Sequence, residues 1–293
     1  MQNEFFFNKD VMREVLCDNL IEKRRARRWG IFFKILLLLF VLFISIFIIS
    51  CNNKNVEHVG IVDITGLISD KSNSNAKCII MSLNAAFSNK YSKAIILKIN
   101  SPGGTPVQSN IIHNHIKKLR KMYPNKPVYA VIEDIGTSGA YLIAVAAEKI
   151  YCDSFSIVGS IGVLINSFGF SEAINKLGIE RRIYKAGKNK VIMDPFLERN
   201  SEDEKILQYN LNIMHENFIE IVKKNRYKNS IPFDESDIFS GKFWVGKDAL
   251  FFGLVDGFSD VYTLSSDVIK IPFLVDYNND PNILNLISKR IKN

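Results

Sequence analysis

The chain has 293 residues, and the roughly 240 that follow an N-terminal appendage are enough for one large or two small hydrophobic cores. Hydrophobic residues make up 47% of it without a long depleted stretch, which excludes an intrinsically disordered protein. The formal charge of +8 divides into +3 in residues 1–50 and +5 in residues 51–293, with no dense basic stripe interleaved with aromatic residues. This distribution argues against a nucleic-acid partner.

The first predicted element is a transmembrane helix at residues 31–50. Its 20 residues contain one charge, Lys34, and as a helix they rise about 30 Å, the thickness of a hydrocarbon core. Five Lys or Arg residues lie just before it in residues 22–29, and one lies in the five residues after it. The positive-inside rule therefore predicts a cytoplasmic segment at residues 1–30 and places the rest of the chain on the far side of the membrane, in contact with lipid through residues 31–50.

Two alternatives remain open for this apolar segment. The first is a cleaved signal peptide, although the leading segment is long and no Ala-x-Ala site follows. The second is a lipoprotein signal, because Ile48–Cys51 resembles a lipoprotein cleavage box and would place a lipid on Cys51. The transmembrane helix and the lipid would both tether the body of the chain to a membrane.

From residue 56 onward, short apolar runs alternate with helical patterns. Strands are predicted at residues 59–64, 94–99, 128–132 and 150–152, and helices at residues 107–122, 138–149, 201–226 and 244–256. Repeated strand–helix–strand units predict an α/β fold with a mostly parallel, buried sheet and helices packed around it. The predicted domain spans residues 56–265, and residues 266–293 are predicted to be a loosely packed tail.

The cysteine and histidine residues do not follow metal-binding spacings. None of the four cysteines forms a CxxC pair, and in the body only Cys78 and Cys152 could form a disulfide, so two free, buried thiols are the simpler prediction. The His113-Asn114-His115 sequence lies on the predicted helix 107–122, where we predict a solvated face.

Three places in the body carry residues suited to catalysis. The Gly-rich turn Asn100–Gly104 follows a buried strand, so its backbone N–H groups can point at a ligand, although these residues equally suit a plain strand-to-helix turn. Ser138 opens a helix, where free N–H groups could stabilise an oxyanion, although serine often merely caps a helix. The third is the lysine-rich loop 184–190; such loops are usually exposed, and a lysine acts as a base only where burial or neighbours lower its pKa.

Several motifs together resemble peptidase family S49, the group of signal peptide peptidase A and SohB. In the family's order they are ILKINSPGG (96–104), TSGAYLIAVAAEKIYCD (137–153), VGSIGVLI (158–165), LGIERRIYKAGKNKVIMDPF (177–196) and FWVGKDALFFGLVDGF (243–258). The run covers about two thirds of the body, and its combination of motifs is specific, although SPGG or SGA alone would not be.

This resemblance implies a ClpP/crotonase-like fold and a bacterial serine peptidase with a Ser-Lys dyad. It matches the family nucleophile to Ser138 and the general base to Lys190, three residues after Gly187. Lys185 and Lys188 would then be solvated neighbours. Such a dyad needs neither a metal nor another cofactor.

The resemblance also assigns the supporting groups. The backbone N–H groups of Gly104 and Gly139 would form the oxyanion hole, Gly103 would shape the turn, and Ser160 would orient the lysine. The chain departs from the family at Ala140-Tyr141-Leu142, where many members have Gly-Tyr-Tyr; we expect a different substrate groove there, while the small alanine leaves activity unthreatened.

Long members of the family carry two such domains, with the serine in one and the lysine in the other. This single-domain chain is therefore predicted to form a homo-oligomeric ring in which a neighbour supplies Lys190. Its substrates would be cleaved signal peptides or other apolar segments, on the periplasmic side of the bacterial inner membrane. Two competing hypotheses are a crotonase-type acyl-CoA enzyme, disfavoured because CoA is cytoplasmic, and a catalytically inactive membrane scaffold.

Overall fold

The computed structural model describes residues 9–50, 56–227 and 234–278. Contacts within the chain divide it into two units, residues 1–55 and residues 56–293. Each unit is described by itself below.

The first unit contains one long helix, α1 (Lys9–Ser50), of 42 residues. Its part Leu20–Ser45 is long and apolar enough to cross a membrane and lies near the N-terminus. The apolar segment predicted at residues 31–50 belongs to this continuous helix. Cys51, on which the alternative lipid anchor depends, lies outside the described residues.

The second unit is built on one sheet, in which eight strands are described. They are β1 (His58–Thr65), β2 (Ser92–Ser101), β3 (Val128–Thr137), β4 (Lys149–Cys152), β5 (Ile157–Gly159), β6 (Phe243–Val245), β7 (Gly257–Phe258) and β8 (Leu274–Asp276). The order is β6-β5-β3-β2-β1-β8, and β4 pairs with β3 and β7. Neighbouring strands are parallel apart from the β5–β6 pair.

This unit has eight described α-helices, several of which begin with local signals that favour a helix. They are α2 (Ala76–Ser88), α3 (Pro106–Met122), α4 (Gly139–Ala144), α5 (Ser171–Lys176), α6 (Ser201–Arg226), α7 (Glu235–Ile238), α8 (Gly246–Phe251) and α9 (Val261–Thr263), followed by a π-helical turn at Leu264–Ile269. The Asn75 side chain caps α2 and the Asn200 side chain caps α6 by accepting hydrogen bonds from backbone N–H groups. Pro106 supplies the first residue of α3, where a missing N–H costs nothing.

The sheet is covered on both faces because its central strands carry apolar side chains on each face. Ile95, Leu97 and Ile99 of β2 face a large core that includes residues of α2, α3 and α4. Ala94 and Ile96 face a smaller core with residues of α9 and the π-helical turn. The α/β architecture predicted from the sequence is confirmed.

Three predicted elements differ in extent from the observed ones. The helix predicted over residues 138–149 ends at Ala144, because the Glu148 N–H bonds to the Val128 carbonyl and draws the chain into the sheet. The helix predicted over residues 244–256 begins with strand β6 and becomes helical at Gly246. Part of the predicted tail, residues 274–276, forms β8 beside β1.

Candidate active site

The Gly-rich turn after β2 is held open by hydrogen bonds on either side of its glycines. The Ser101 hydroxyl donates to the Gly66 carbonyl at 2.6 Å and accepts from the Gly103 N–H at 3.1 Å. Ile68 donates its N–H to the Gly103 carbonyl and accepts from the Thr105 N–H. These two hydrogen bonds form an isolated parallel bridge between Ile68 and Gly104. Because they use backbone groups of the residues before and after Gly104, the N–H of Gly104 itself points away from Ile68.

Ser138 stands in a strained backbone conformation at the carboxyl end of β3. Its φ of 53° and ψ of −124° are rare for a residue other than glycine. The Ser138 N–H donates to the Gly159 carbonyl at 2.8 Å, which fixes the backbone against β5. The side chain makes no capping hydrogen bond to α4. The ordinary explanation for a serine at a helix start, that it caps the helix, therefore does not apply.

The Gly-rich turn and the start of α4 meet at van der Waals distance. A methyl carbon added to Gly103 would lie 2.8 Å from the Gly139 nitrogen and 2.9 Å from the Ser138 Cβ. One added to Gly139 would lie 3.3 Å from the Gly104 nitrogen. The Gly139 N–H, as the first of α4, has no acceptor within that helix. The structure thus brings Gly103 and the two predicted oxyanion donors, the N–H groups of Gly104 and Gly139, close to the predicted nucleophile.

Ser160 lies next to the same point because Gly159, its predecessor, accepts the Ser138 N–H. Its φ of 48° is again positive, and its N–H donates to the Lys242 carbonyl at 2.8 Å. Within the described chain, its hydroxyl has no hydrogen-bond partner. Ser160 is therefore half-buried beside Ser138 with a hydroxyl available to a further group.

Lys190, in contrast, is exposed in a turn of the segment 162–200, none of whose residues is buried. Its backbone N–H donates to the Gly187 carbonyl at 3.3 Å, and over the described residues its amine forms no hydrogen bond or ion pair. The Lys188 amine instead forms an ion pair with Glu202 at 2.8 Å, which raises its pKa. The Lys185 amine donates to the Lys188 carbonyl. In the single chain, the exposed Lys190 amine therefore makes no hydrogen bond to Ser138.

Comparison with known proteins decides the family. The model of Peptidase family S49 matches residues 120–269, about half of the chain. The chain belongs to peptidase family S49. Its α/β sheet with alternating strands and helices is the ClpP-like fold of that family.

Individual relatives are similar in sequence to this chain over part of their own length. A candidate protease of Methanocaldococcus jannaschii is 34% identical over 187 residues, which are 64% of this chain and 58% of that protein. A candidate signal peptide peptidase SppA of Enterococcus faecium is 28% identical over 221 residues, 72% of this chain and 62% of that protein. The chain therefore spans about three fifths of the length of these two relatives.

A third relative has a name of a different kind. A Na(+)/H(+) antiporter NhaA of Brucella melitensis is 46% identical over 180 residues, 61% of this chain but 24% of that protein. Because the similarity covers only a quarter of that protein, its name carries no transport function to the S49 chain.

The S49 domain also packs α3 against α4, the helix that follows Ser138, a contact that sequence reasoning missed. Ser109 is fully buried, and its hydroxyl has no hydrogen-bond partner among the described residues; it would lie 2.3 Å from a methyl carbon added to Gly139. His113 Nδ1 lies 2.8 Å from the Leu142 carbonyl oxygen and must carry the proton, since a carbonyl only accepts. Arg120 donates to the Ala146 carbonyl at 2.6 Å. Ser109, His113 and Arg120 lie on one face of α3, and this spacing of polar residues in the sequence could have identified them.

The prediction of a solvated face at His113 is wrong, because the packing of α3 on α4 leaves this side chain only 4% exposed. Burial lowers the pKa of His113, and the charges of Lys117 and Arg120 lower it further, against the raising effect of the hydrogen bond to Leu142. The folded domain therefore holds a neutral imidazole at pH values where the unfolded chain binds a proton.

We expect this difference to make the domain less stable in acid. As the pH falls below about 6.5, the free energy of unfolding should decline by up to about 1.4 kcal/mol per pH unit from this residue alone. The variant His113→Gln keeps an N–H donor for Leu142 but does not titrate, so its decline should be shallower. Denaturant unfolding of both proteins in detergent between about pH 5.5 and 7.5 measures the slopes; equal slopes would contradict the assignment.

The thiols of the described residues are unpaired. Cys152 is buried, and burial raises its pKa to about 12, whereas Cys78 is half-buried. Both are free, as predicted, although only Cys152 is fully enclosed. Across residues 9–50, 56–227 and 234–278, no group of three His, Cys, Asp or Glu side chains is placed to hold a metal ion.

Proposed function

We propose that this S49 chain is a membrane-anchored serine endopeptidase with Ser138 as nucleophile and Lys190 as general base. The observation that carries the proposal is the backbone of Ser138, which has a positive φ without a capping bond, beside the N–H groups of Gly104 and Gly139. Backbone strain of this kind persists only where the surrounding structure enforces it, and it is concentrated at active sites.

The chemistry follows from these groups. The neutral amine of Lys190 takes the hydroxyl proton while Ser138 Oγ bonds to the carbonyl carbon of the scissile peptide. The N–H groups of Gly104 and Gly139 then hold the negative charge that develops on the carbonyl oxygen. As the C–N bond breaks, Lys190 returns the proton to the leaving amine, and water hydrolyses the acyl-enzyme. Ser160 has a free hydroxyl beside Ser138 and orients the lysine in this scheme.

We assign the lysine to a neighbouring copy of the chain. Support comes from the segment 162–200, which exposes large apolar side chains, with Tyr184 94% exposed and Phe168 80% exposed. Large apolar side chains that are this exposed favour burial against a partner. A ring of identical subunits would cover this segment and carry each Lys190 to the Ser138 of the next subunit.

The anchor helix and the relatives' names suggest the substrates. In this proposal the helix α1 is the membrane span, and the charge asymmetry around it favours a domain outside the cytoplasm. A relative is named as a signal peptide peptidase. We therefore assign apolar segments such as cleaved signal peptides, processed on the periplasmic side of a bacterial inner membrane, as the substrates.

Peptide cleavage and serine labelling together test this function. The full chain, purified in detergent, is expected to hydrolyse an apolar fluorogenic peptide and to be labelled by a fluorophosphonate at Ser138, located by mass spectrometry of tryptic peptides. Labelling requires an activated serine, whereas an inactive scaffold would show neither result. Hydrolysis of acyl-CoA without peptide cleavage, or a label on another serine, would overturn the proposal.

A further inference from the structure

The amino-terminal edge of the sheet, opposite the candidate active site, carries a concentration of positive charge. Here α2 leads into β2 and α3 leads into β3, so the ends of both helices and the starts of the strands lie together. The charged residues of this basic edge are Lys90, Lys93, Lys117, Lys118, Arg120, Lys121, Lys126 and Lys149, together with the acidic Glu57 and Glu148.

The charge of the basic edge outweighs that of the rest of the domain. Its eight cations and two carboxylates give a net charge of +6, whereas residues 51–293 as a whole carry +5. The other charged residues of this part of the sequence therefore sum to −1. An asymmetric distribution of this kind orients a molecule toward an anionic surface.

Several cations of the basic edge are free to meet a partner. Lys93 pairs with Glu57 at 2.9 Å and Arg120 pairs with Glu148 at 3.4 Å. Lys118, Lys121 and Lys149 are exposed and, within the described residues, form no ion pair. The surface between them includes a shallow depression of about 320 Å³ lined by Lys117, Arg120, Lys121, Pro124 and Glu148.

The chain enters the domain at this same edge. Strand β1 begins at His58, and its first residues pair with the start of β2. Seven residues separate the last residue of α1, Ser50, from His58. Fully extended, eight peptide steps span at most about 29 Å. In a membrane-anchored chain, the covalent tether therefore leads directly to the basic edge.

We propose that the basic edge docks on the anionic phospholipid surface of the membrane that holds the anchor. Lysine and arginine side chains close to such a surface each strengthen binding about fivefold, and the tether removes most of the entropic cost of the encounter. The basic edge fits a lipid surface because its free cations are spread over the edge of the sheet rather than gathered around one buried pocket.

Docking of this kind sets the direction in which the active site faces. Gly104 and Ser138 follow the carboxyl ends of β2 and β3, which are 10 residues long, so they lie about 30 Å from the basic edge along the strands. The site would open away from the lipid surface. Apolar segments would reach Ser138 only after leaving the bilayer, a consequence that deepens the proposed function and rests on the membrane anchoring stated there.

Lysine acylation on defined membranes tests the docking. The full chain is placed in nanodiscs of phosphatidylcholine, or of phosphatidylcholine with about a third phosphatidylglycerol, and treated briefly with an amine-acylating reagent. Mass spectrometry is expected to show Lys118, Lys121 and Lys149 acylated at least about fivefold more slowly on the anionic discs at about 0.05 M salt, with the difference lost at about 0.5 M. Lys247 and Lys205, exposed outside the basic edge, should react equally on both.

Matched charge reversals provide the control. The pair Lys118→Glu and Lys121→Glu should abolish the protection of Lys149 and Lys90 on anionic discs, whereas Lys205→Glu with Lys247→Glu, the same change of charge elsewhere, should preserve it. Equal acylation on both lipids would overturn the proposal. Protection by inorganic phosphate on zwitterionic discs at equal ionic strength would also overturn it, in favour of a free-anion site. Peptidase activity is not part of this readout, so an inactive chain that still docks would refute only the proposed function.

Discussion

Replacing Ser138 or Lys190 by alanine is expected to abolish peptide hydrolysis, and combining the two inactive chains is expected to restore it in part. Each single variant should lower kcat/KM by about 10³-fold or more, because a nucleophile and its base act as one unit. In a ring whose sites join Ser138 of one subunit to Lys190 of the next, random assembly of equal amounts yields about a quarter of the sites intact.

The experiment uses coexpression of the two variants with different affinity tags, so that only mixed assemblies are purified and assayed on the fluorogenic peptide. Lys188→Ala is the matched control, since this lysine lies two residues away but is exposed and paired with Glu202; it should retain activity. Full activity of Lys190→Ala would exclude the dyad. Proven mixed assemblies without activity would exclude a site shared between subunits, as would full activity in a monomer.

The architecture of the domain could be predicted because its signals are local. The observed strands β1, β2 and β3 contain the predicted apolar runs, and α6 has the predicted bounds, Ser201–Arg226. These segments follow the strand or helix period, and α6 begins with a recognisable cap, Asn200. Helix α2 was not predicted, although its capping Asn75 and its apolar residues were present in the sequence.

The candidate site was predictable in part, by motif rather than by pattern. Gly103, Gly104 and Ser138 lie at the ends of adjacent parallel strands, and such ends meet at one edge of a sheet. The backbone strain at Ser138 was not predictable, because it depends on the hydrogen bond to Gly159, 21 residues further along the chain. Likewise, the burial of His113 depends on Leu142, which only the fold brings near.

Lys190 shows a limit of a different kind. Its loop folds on itself through local bonds, such as that from the Lys190 N–H to the Gly187 carbonyl, while the apolar residues of the segment 162–200 stay exposed. In the proposed ring, the information that would place its amine belongs to the assembly rather than to one chain. The motif predicts the residue, and in the proposed ring a partner subunit would complete its surroundings.

Gly139→Ala is expected to lower kcat by about 10²- to 10³-fold, the effect of losing one oxyanion donor. The added methyl would lie 2.3 Å from Ser109 Oγ and 3.3 Å from the Gly104 nitrogen, so the start of α4 must move away from the Gly-rich turn. Gly104→Ala is less informative, because its methyl would meet the Ile68 carbonyl oxygen at 1.9 Å and disturb the backbone itself.

The atom that the methyl added at position 139 meets most closely is Ser109 Oγ, so a second substitution that removes this atom should partly restore kcat. Ser109 Oγ has no hydrogen-bond partner among the described residues, so Ser109→Ala alone should change kcat little and cost no hydrogen bond. In the double variant the nearest remaining side-chain atom, the Cβ of residue 109, lies 3.2 Å from the new methyl, and kcat should recover by about tenfold over Gly139→Ala. A double-mutant cycle on kcat measures this coupling. Strictly additive effects would mean that Gly139 is required for some reason other than the close approach of α3 to the oxyanion hole.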